Sequence, residues 1–292
     1  MSLPINPPGR TLGTENAILS GYAAQYHVRD FEGCLSLKSV VQGAADWETD
    51  GRRFVVRPDC YLILNDRQHY TMTIDSPRRV GTFCLFFERG FVEEINRVVV
   101  RGDEHLLDFP ENPRRVGLEF INHLEPNDSA ITGLLRRFHL ELSNGPMPVT
   151  EWDQRFLRIG AQLVKEHRGA LRAMENLPAL RASTREEIYR RLLRGRDFLL
   201  ASLQNRIRLK DMAKAANLSP YHFHRSFARA FRETPHEYLT RHRLEIAARL
   251  LRSTEMSVTD VGLEAGFEGI AAFSDVFRRY YGLSPVRYRR AD

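Results

Sequence analysis

The last quarter of the chain states one pattern twice. Phe223, Phe227, Phe231, Pro235 and Tyr238 return fifty residues later as Phe273, Phe277, Tyr281, Pro285 and Tyr288. Just upstream, Leu209, Asp211, Met212, Ala213 and Ala216 return forty-nine residues later as Val258, Asp260, Val261, Gly262 and Ala265, so the second copy has one extra residue in its turn. Each copy reads as a supporting helix, a tight turn and a second helix, the pattern of a helix-turn-helix unit. A helical solenoid has similar periods but needs about three or more repeats to bury a continuous core, and only two copies are visible. The expected C-terminal domain is therefore all-α, with two units at 209–231 and 258–281 joined by a long helix from Pro235 to about Ser253.

Local signals support both copies. Ser219-Pro220 is a helix cap followed by a proline at the first helical position, where a missing amide proton does no harm. Phe223, Phe227 and Phe231, four apart, share the core face, which leaves Tyr221, His224, Arg225 and Arg229 opposite. Thr234-Pro235-His236-Glu237 adds a capping box to the same signal. In the second copy Gly262 stands at the helix crossing, Gly266-Phe267 in the turn, Gly282 past the helix end and Ser284-Pro285 at a short last helix. Its outward positions are Ile270, Ala271, Ser274, Asp275 and Arg278. His222 and His224 point to different sides of a helix and cannot close on one metal ion.

In a helix-turn-helix, the N-terminal part of the second helix meets base edges in the major groove. Candidate DNA-binding residues are thus Ser219, Tyr221, His224, Arg225 and Arg229 in the first unit, and Ile270, Ala271, Ser274, Asp275 and Arg278 in the second. Arg225 can grip guanine in bidentate fashion, worth about 1 to 3 kcal/mol of discrimination; an isolated solvated Arg is the bland alternative. Asp275 stands where the first unit has Arg225. A carboxylate is unfavourable beside phosphates but can accept from a cytosine amino group. The first unit is expected to supply most polar base readout, the second apolar contacts to thymine methyls and a phosphate contact from Arg278. Charge agrees: residues 181–292 carry 22 Arg and Lys against 13 Asp and Glu, while residues 1–180 carry 21 against 24. A basic half suits phosphates, though acidic lipid or acidic protein would also fit.

The first half reads differently. Residues 1–20, with Pro4, Pro7, Pro8, Gly9 and Gly13, read as a flexible arm. Short apolar or alternating runs follow at Cys34 to Val41, Arg53 to Arg57, Cys60 to Leu64, Tyr70 to Ile74 and Val80 to Phe87, broken by turn residues such as Asp75-Ser76-Pro77. Such spacing favours an antiparallel sandwich or barrel. Helices are expected over Glu88 to Val100, Ile131 to Leu142 and Thr150 to about Asn176, so that a helical part, 130–177, completes a domain at 21–177. In the last helix Trp152, Phe156, Ile159, Leu163 and His167 form one stripe, suited to its own barrel or, slightly favoured, to the same helix of a second chain. Residues 178–183 read as a linker, and Thr184-Arg185-Glu186-Glu187 as a capping box opening the domain at 184–292. The fold class is multi-domain α+β.

From roughly Ala182 to Arg290 the chain resembles the AraC/XylS family of bacterial transcription regulators. The resemblance rests on Gly266-Phe267, Phe273, Phe277-Arg278-Arg279, Gly282, Ser284-Pro285 and Tyr288-Arg289. It implies double-stranded DNA as partner, with both reading helices in successive major grooves about 34 Å apart. It also implies a cupin-like N-terminal domain that senses a small-molecule effector and forms a homodimer, and an activator that recruits RNA polymerase. One departure stands out. Arg232 occupies the place where the family commonly has a helix-ending glycine, and a non-glycine residue held left-handed costs about 1 to 2 kcal/mol.

No enzyme chemistry stands out. His69, the one histidine of the strand region from Cys34 to Phe87, lacks the His-x-His partner of a metal-dependent cupin and reads as a turn or pocket-rim residue, so neither metal nor cofactor is expected. Cys34, Cys60 and Cys84 read as small buried residues, with redox sensing as the minor alternative. No Gly-rich phosphate loop, membrane-length apolar run or signal-peptide core is visible, and a cytoplasmic protein is expected. Tyr61, Tyr70, Phe54, Phe83 and Trp47 either line a pocket or fill a core. Two alternatives stay open: a barrel enzyme tethered to DNA, and an effector-free DNA binder controlled by a partner, favoured if the barrel interior is packed solid.

Overall fold

The computed structural model describes residues 4–58, 60–108, 118–126, 129–145, 147–179 and 181–290. It divides into two compact units, Met1–Ala170 and Leu171–Asp292, with the division falling inside a helix.

The first unit is built from β1 (Ile5–Asn6), β2 (Ala17–Glu32), β3 (Ser36–Gln42), β4 (Ala45–Thr49), β5 (Arg52–Val56), β6 (Cys60–Leu64), β7 (His69–Phe86), α1 (Phe91–Asp108), β8 (Leu124–Pro126), α2 (Ala130–Ser143) and α3 (Val149–Glu175). All strand pairs are antiparallel, in the order β1-β2-β7-β3-β6-β8, with β4 between β5 and the first part of β7. Among the described strands this order does not close into a ring, so the expected cupin-like barrel is corrected to an open sheet.

Alternation along the strands decides what each side of the sheet holds, because successive side chains point to opposite faces. On one side Leu37, Tyr61, Ile63, Phe83 and Leu85 pack with Val92 of α1, Phe138 of α2 and Trp152, Phe156, Ile159 and Leu163 of α3. On the other, Val40, Trp47, Phe54, Leu62, Leu64, Tyr70, Met72 and Phe86 pack with one another. All five aromatics considered for a pocket are core residues, Tyr61 and Phe83 on the helix side and Trp47, Phe54 and Tyr70 on the other. The α3 stripe is consumed by its own sheet, which overturns the slight preference for a second chain as its partner.

Two further expectations change. Asp75-Ser76-Pro77 does not end a strand: β7 runs through it for 18 residues. The register with β2 jumps from Ala23↔Val80 to Gln25↔Asp75, so Pro77 lies in a bulge where no ladder donor is needed. The arm at residues 1–20 is partly sheet, since Ile5 and Asn6 pair with Leu19 and Ile18 and β2 starts at Ala17.

The second unit contains α4 (Ala182–Ala201), α5 (Leu209–Ala215), α6 (Pro220–Phe231), α7 (Pro235–Ser253), α8 (Val258–Glu264), α9 (Ile270–Tyr281) and α10 (Pro285–Arg289). α5 and α6 pack against α4, α8 packs against α7, and α9 against α8 and α10, with α10 also on α7. Phe223 and Phe227 are fully buried in the first group, with Phe227 edge-on to Tyr238 at 5.5 Å. Phe273 and Phe277 take the same places in the second, among Leu244, Ala247, Leu251 and Val261. Burying each such ring fully contributes about 1.5 to 3 kcal/mol. α4 starts at Ala182 with Arg181 as an uncapped N-cap, so the Thr184 capping box is corrected: Thr184 lies inside the helix, and Arg185 Nη1 donates to the Ala179 carbonyl at 2.8 Å. No described helix is long and apolar enough to cross a membrane.

Candidate nucleic-acid interface

The second helices of the two copies, α6 and α9, are placed by similar local chemistry and then diverge. At α6 the Ser219 hydroxyl accepts from the His222 amide at 3.3 Å, and Pro220 starts the helix. With the Phe223 and Phe227 face buried, Tyr221 is 66% exposed, and His224 and Arg225 also face outward. Arg229, near the helix end, is half-buried. Arg225 Nη1 donates to Tyr221 Oη at 3.2 Å. One helical turn apart, the phenol holds the guanidinium along the outer face, where its remaining donors are free for a base edge or a phosphate.

α9 is less polar at the corresponding surface. Its N-cap, Gly269, provides no side-chain cap; Ile270 is 43% exposed and Ala271 is also exposed. Ser274 is half-buried, less open than the other residues expected here. Arg278 Nη2 lies 3.7 Å from Asp275 Oδ1, with both side chains 68% exposed. Such a surface pair adds little stability, about 0 to 1 kcal/mol, but it sets a negative charge beside Arg278.

The turns carry the backbone strain. Asn217 and Gly266 hold equivalent left-handed positions, at φ 51° and 88°. A Cβ on Gly266 would lie 2.3 Å from the Leu203 carbonyl oxygen and 2.9 Å from Arg243 Nε. Arg243, on α7, donates through Nε to Leu203 O at 2.8 Å and through Nη2 to Asn205 O at 2.7 Å, tying the second turn to the approach to α5. At the ends of the reading helices, Gly282 is left-handed at φ 74° and Arg232 likewise at φ 62°. The first turn therefore keeps the geometry of the second and bears the strain of a side chain. At the start of α7, Glu237 accepts from the Thr234 amide at 2.7 Å, and that bond to the backbone, with the Thr234 hydroxyl, holds its carboxyl below the usual range.

Residues 212–291 match the helix-turn-helix domain family HTH_18. The chain is 33% identical over 91 residues to the HTH-type transcriptional activator AarP of Providencia stuartii, a stretch that is 31% of this chain and 67% of that protein. The chain belongs to the AraC/XylS family of transcriptional regulators. An uncharacterized HTH-type transcriptional regulator of Haemophilus influenzae is 37% identical over 93 residues, 32% of this chain and 31% of that protein. The chain thus spans about a third of that relative's length. The DNA-binding domain of AdpA, solved in complex with a target DNA, has 31% identity over 34% of this chain and 90% of that one, at a TM-score of 0.33. The family and the relatives named are transcriptional regulators, not enzymes.

In this AraC/XylS chain the first unit also encloses Lys38 and half-buries Glu166, neither of which stands out in the sequence. Lys38 is fully enclosed, its Nζ donating to Tyr70 Oη at 3.0 Å and lying 3.8 Å from the Phe86 ring centre. Burial pushes its pKa down to about 8. Its position was readable: Lys38 shares a strand face with Val40, an inward residue. Tyr61 Oη donates to Glu166 Oε2 at 2.7 Å, and burial, with Glu125 nearby, pushes Glu166 up to about 7. His69 is exposed and paired with Asp30 at 2.9 Å. Cys34 and Cys84 are buried and Cys60 half-buried, all as free thiols. Burial raises the Cys34 and Cys84 thiols, which disfavours the reactive thiolate.

Proposed function

We propose that this protein is a sequence-specific transcriptional regulator that reads two successive major grooves, with α6 making most polar base contacts and α9 mainly apolar ones. The observation that carries this reading is the Tyr221–Arg225 pair, exposed on the N-terminal half of a reading helix whose opposite face is locked into the core. The Asp275–Arg278 pair supports the division of labour, because a cation already facing a carboxylate is a weaker phosphate ligand. Activation through RNA polymerase and action as a homodimer are what the family resemblance implies, and the similarity of this chain to the activator AarP supports activation.

Control through the first unit has two forms: a small molecule held by the sheet, or a partner acting without one. Trp47, Phe54, Tyr70, Met72 and Phe86 fill the side of the sheet away from the helices, which supports the second form.

Selection of bound duplexes from a randomised library tests the proposal directly. The wild type should enrich a motif with two half-sites about one helical turn apart. Arg225→Ala should weaken binding to the best duplex by about tenfold or more and flatten base preference at one position. Asp275→Ala should leave affinity within about threefold, since an exposed pair contributes little. Equal losses from the two substitutions would remove the assignment of roles; no enrichment at low ionic strength would remove DNA reading altogether.

A further inference from the structure

The residue that breaks the family pattern is also one that reaches out of the helix-turn-helix. Arg232 ends α6 in the left-handed conformation that Gly282 adopts at the end of α9. A glycine there would be free of strain, so whatever the side chain adds must come from what it contacts. Its Nη2 donates to Asn176 Oδ1 at 2.9 Å, a bond across 56 positions of sequence. Asn176 follows the last residue of α3, and Leu177 beside it is buried. Asn176, Leu177 and Arg232 all belong to the second unit. Three residues further on, Ala179 O accepts from Arg185 Nη1 of α4 at 2.8 Å. Two arginines of the DNA-reading unit thus grip the short stretch through which the chain arrives from the first unit.

We infer that Arg232 is a positioning residue that latches the connection after α3 to the exit of the first reading helix, so that the connection and α6 order together when DNA is bound. The inference rests on the proposed DNA reading for its second half only. A pull on the connection from the first unit would act on the C-terminal end of α6, whose other end carries Tyr221 and Arg225. The left-handed strain at Arg232 is then the cost of a contact that glycine could not make.

Amide exchange read by mass spectrometry on the full chain tests the latch. Arg232→Gly and Asn176→Ala should each raise exchange across residues 171–179 by about fivefold, the factor that one net hydrogen bond is worth. Exchange at Phe223 to Ala230 should not change, and the double variant should show no more than the larger single effect. Arg232→Gly should not lower the melting temperature, because relief of the backbone offsets the lost bond. Asn176→Asp should slow exchange in the same segment only while Arg232 is present, because a charged acceptor strengthens the bond. Unchanged exchange in either single variant, or effects that multiply in the double, would overturn the latch.

The library-selected duplex then tests coupling. It should protect residues 171–179 in the wild type and not in Arg232→Gly. Protection that persists in Arg232→Gly, or that never appears in a wild type bound to the duplex, would overturn coupling. Failure to bind any duplex would overturn coupling together with the proposed function, while the exchange result without DNA would still decide the latch.

Discussion

Gly266→Ala is expected to destabilise the second unit by about 3 kcal/mol, combining the cost of a left-handed alanine with that of overpacking. The added methyl has nowhere to go, since Leu203 O stands 2.3 Å from its position and is backbone rather than the end of a movable side chain. Relief would require the Arg243 bonds to Leu203 and Asn205 to lengthen, loosening the approach to α5 as well as the second turn. In a unit of this size the melting temperature should fall by about 10 to 20 °C, read by calorimetry or circular dichroism. Gly282→Ala is the matched control: φ is 74°, but nothing lies within 4 Å of the added carbon, so only the conformational cost of about 1 to 2 kcal/mol applies. Equal losses at the two positions would show that the contact with Leu203 adds nothing.

Lys38→Met is expected to act in the opposite direction, raising stability near pH 7 by about 2 kcal/mol. Burial takes the folded-state pKa from 10.5 to about 8. A depression of that size corresponds to about 3 kcal/mol held against the folded chain wherever the amine is protonated in both states, that is, below pH 8. Methionine keeps the length and apolar character of the stem and removes the charge; about 1 kcal/mol is given back because Tyr70 Oη loses its donor. Between pH 8 and 10.5 the folded lysine is increasingly neutral while the unfolded one still binds a proton, so wild-type stability gains on the variant as pH rises. Urea unfolding at pH 7 and pH 9.5 measures this. The variant's advantage should shrink across that interval, and an advantage independent of pH would mean that lysine protonation is not its source.

Legibility in the sequence followed the range of the forces involved. The Phe223/Phe227 and Phe273/Phe277 spacing placed the reading helices, because burial of a helix face is a local periodic signal. The outward faces followed by subtraction, and only Ser274 and Arg229 are less open than that geometry suggested. Local signals misled where distant contacts outweighed them. Thr184 looked like a cap, yet Arg185 reaches back to Ala179 and α4 starts earlier. Pro77 looked like a strand end, yet the bulge against β2 accommodates it. Arg243 was invisible because its acceptors are backbone carbonyls 40 and 38 positions away, and a carbonyl has no residue type to recognise. Arg232 was noticed only as a missing glycine; its partner, Asn176, came from the fold.

The Asp275–Arg278 pair has a consequence for ion release. Each phosphate neutralised by a cationic side chain sets free roughly one condensed counterion, and the slope of log affinity against log salt counts them. In α9 Arg278 already faces a carboxylate, whereas Arg225 of α6 faces only a phenol. The ionic-strength dependence of binding should therefore reside mostly in the first half-site. As potassium chloride is raised, α6 should lose its hold before α9, leaving the apolar grip as the last to let go.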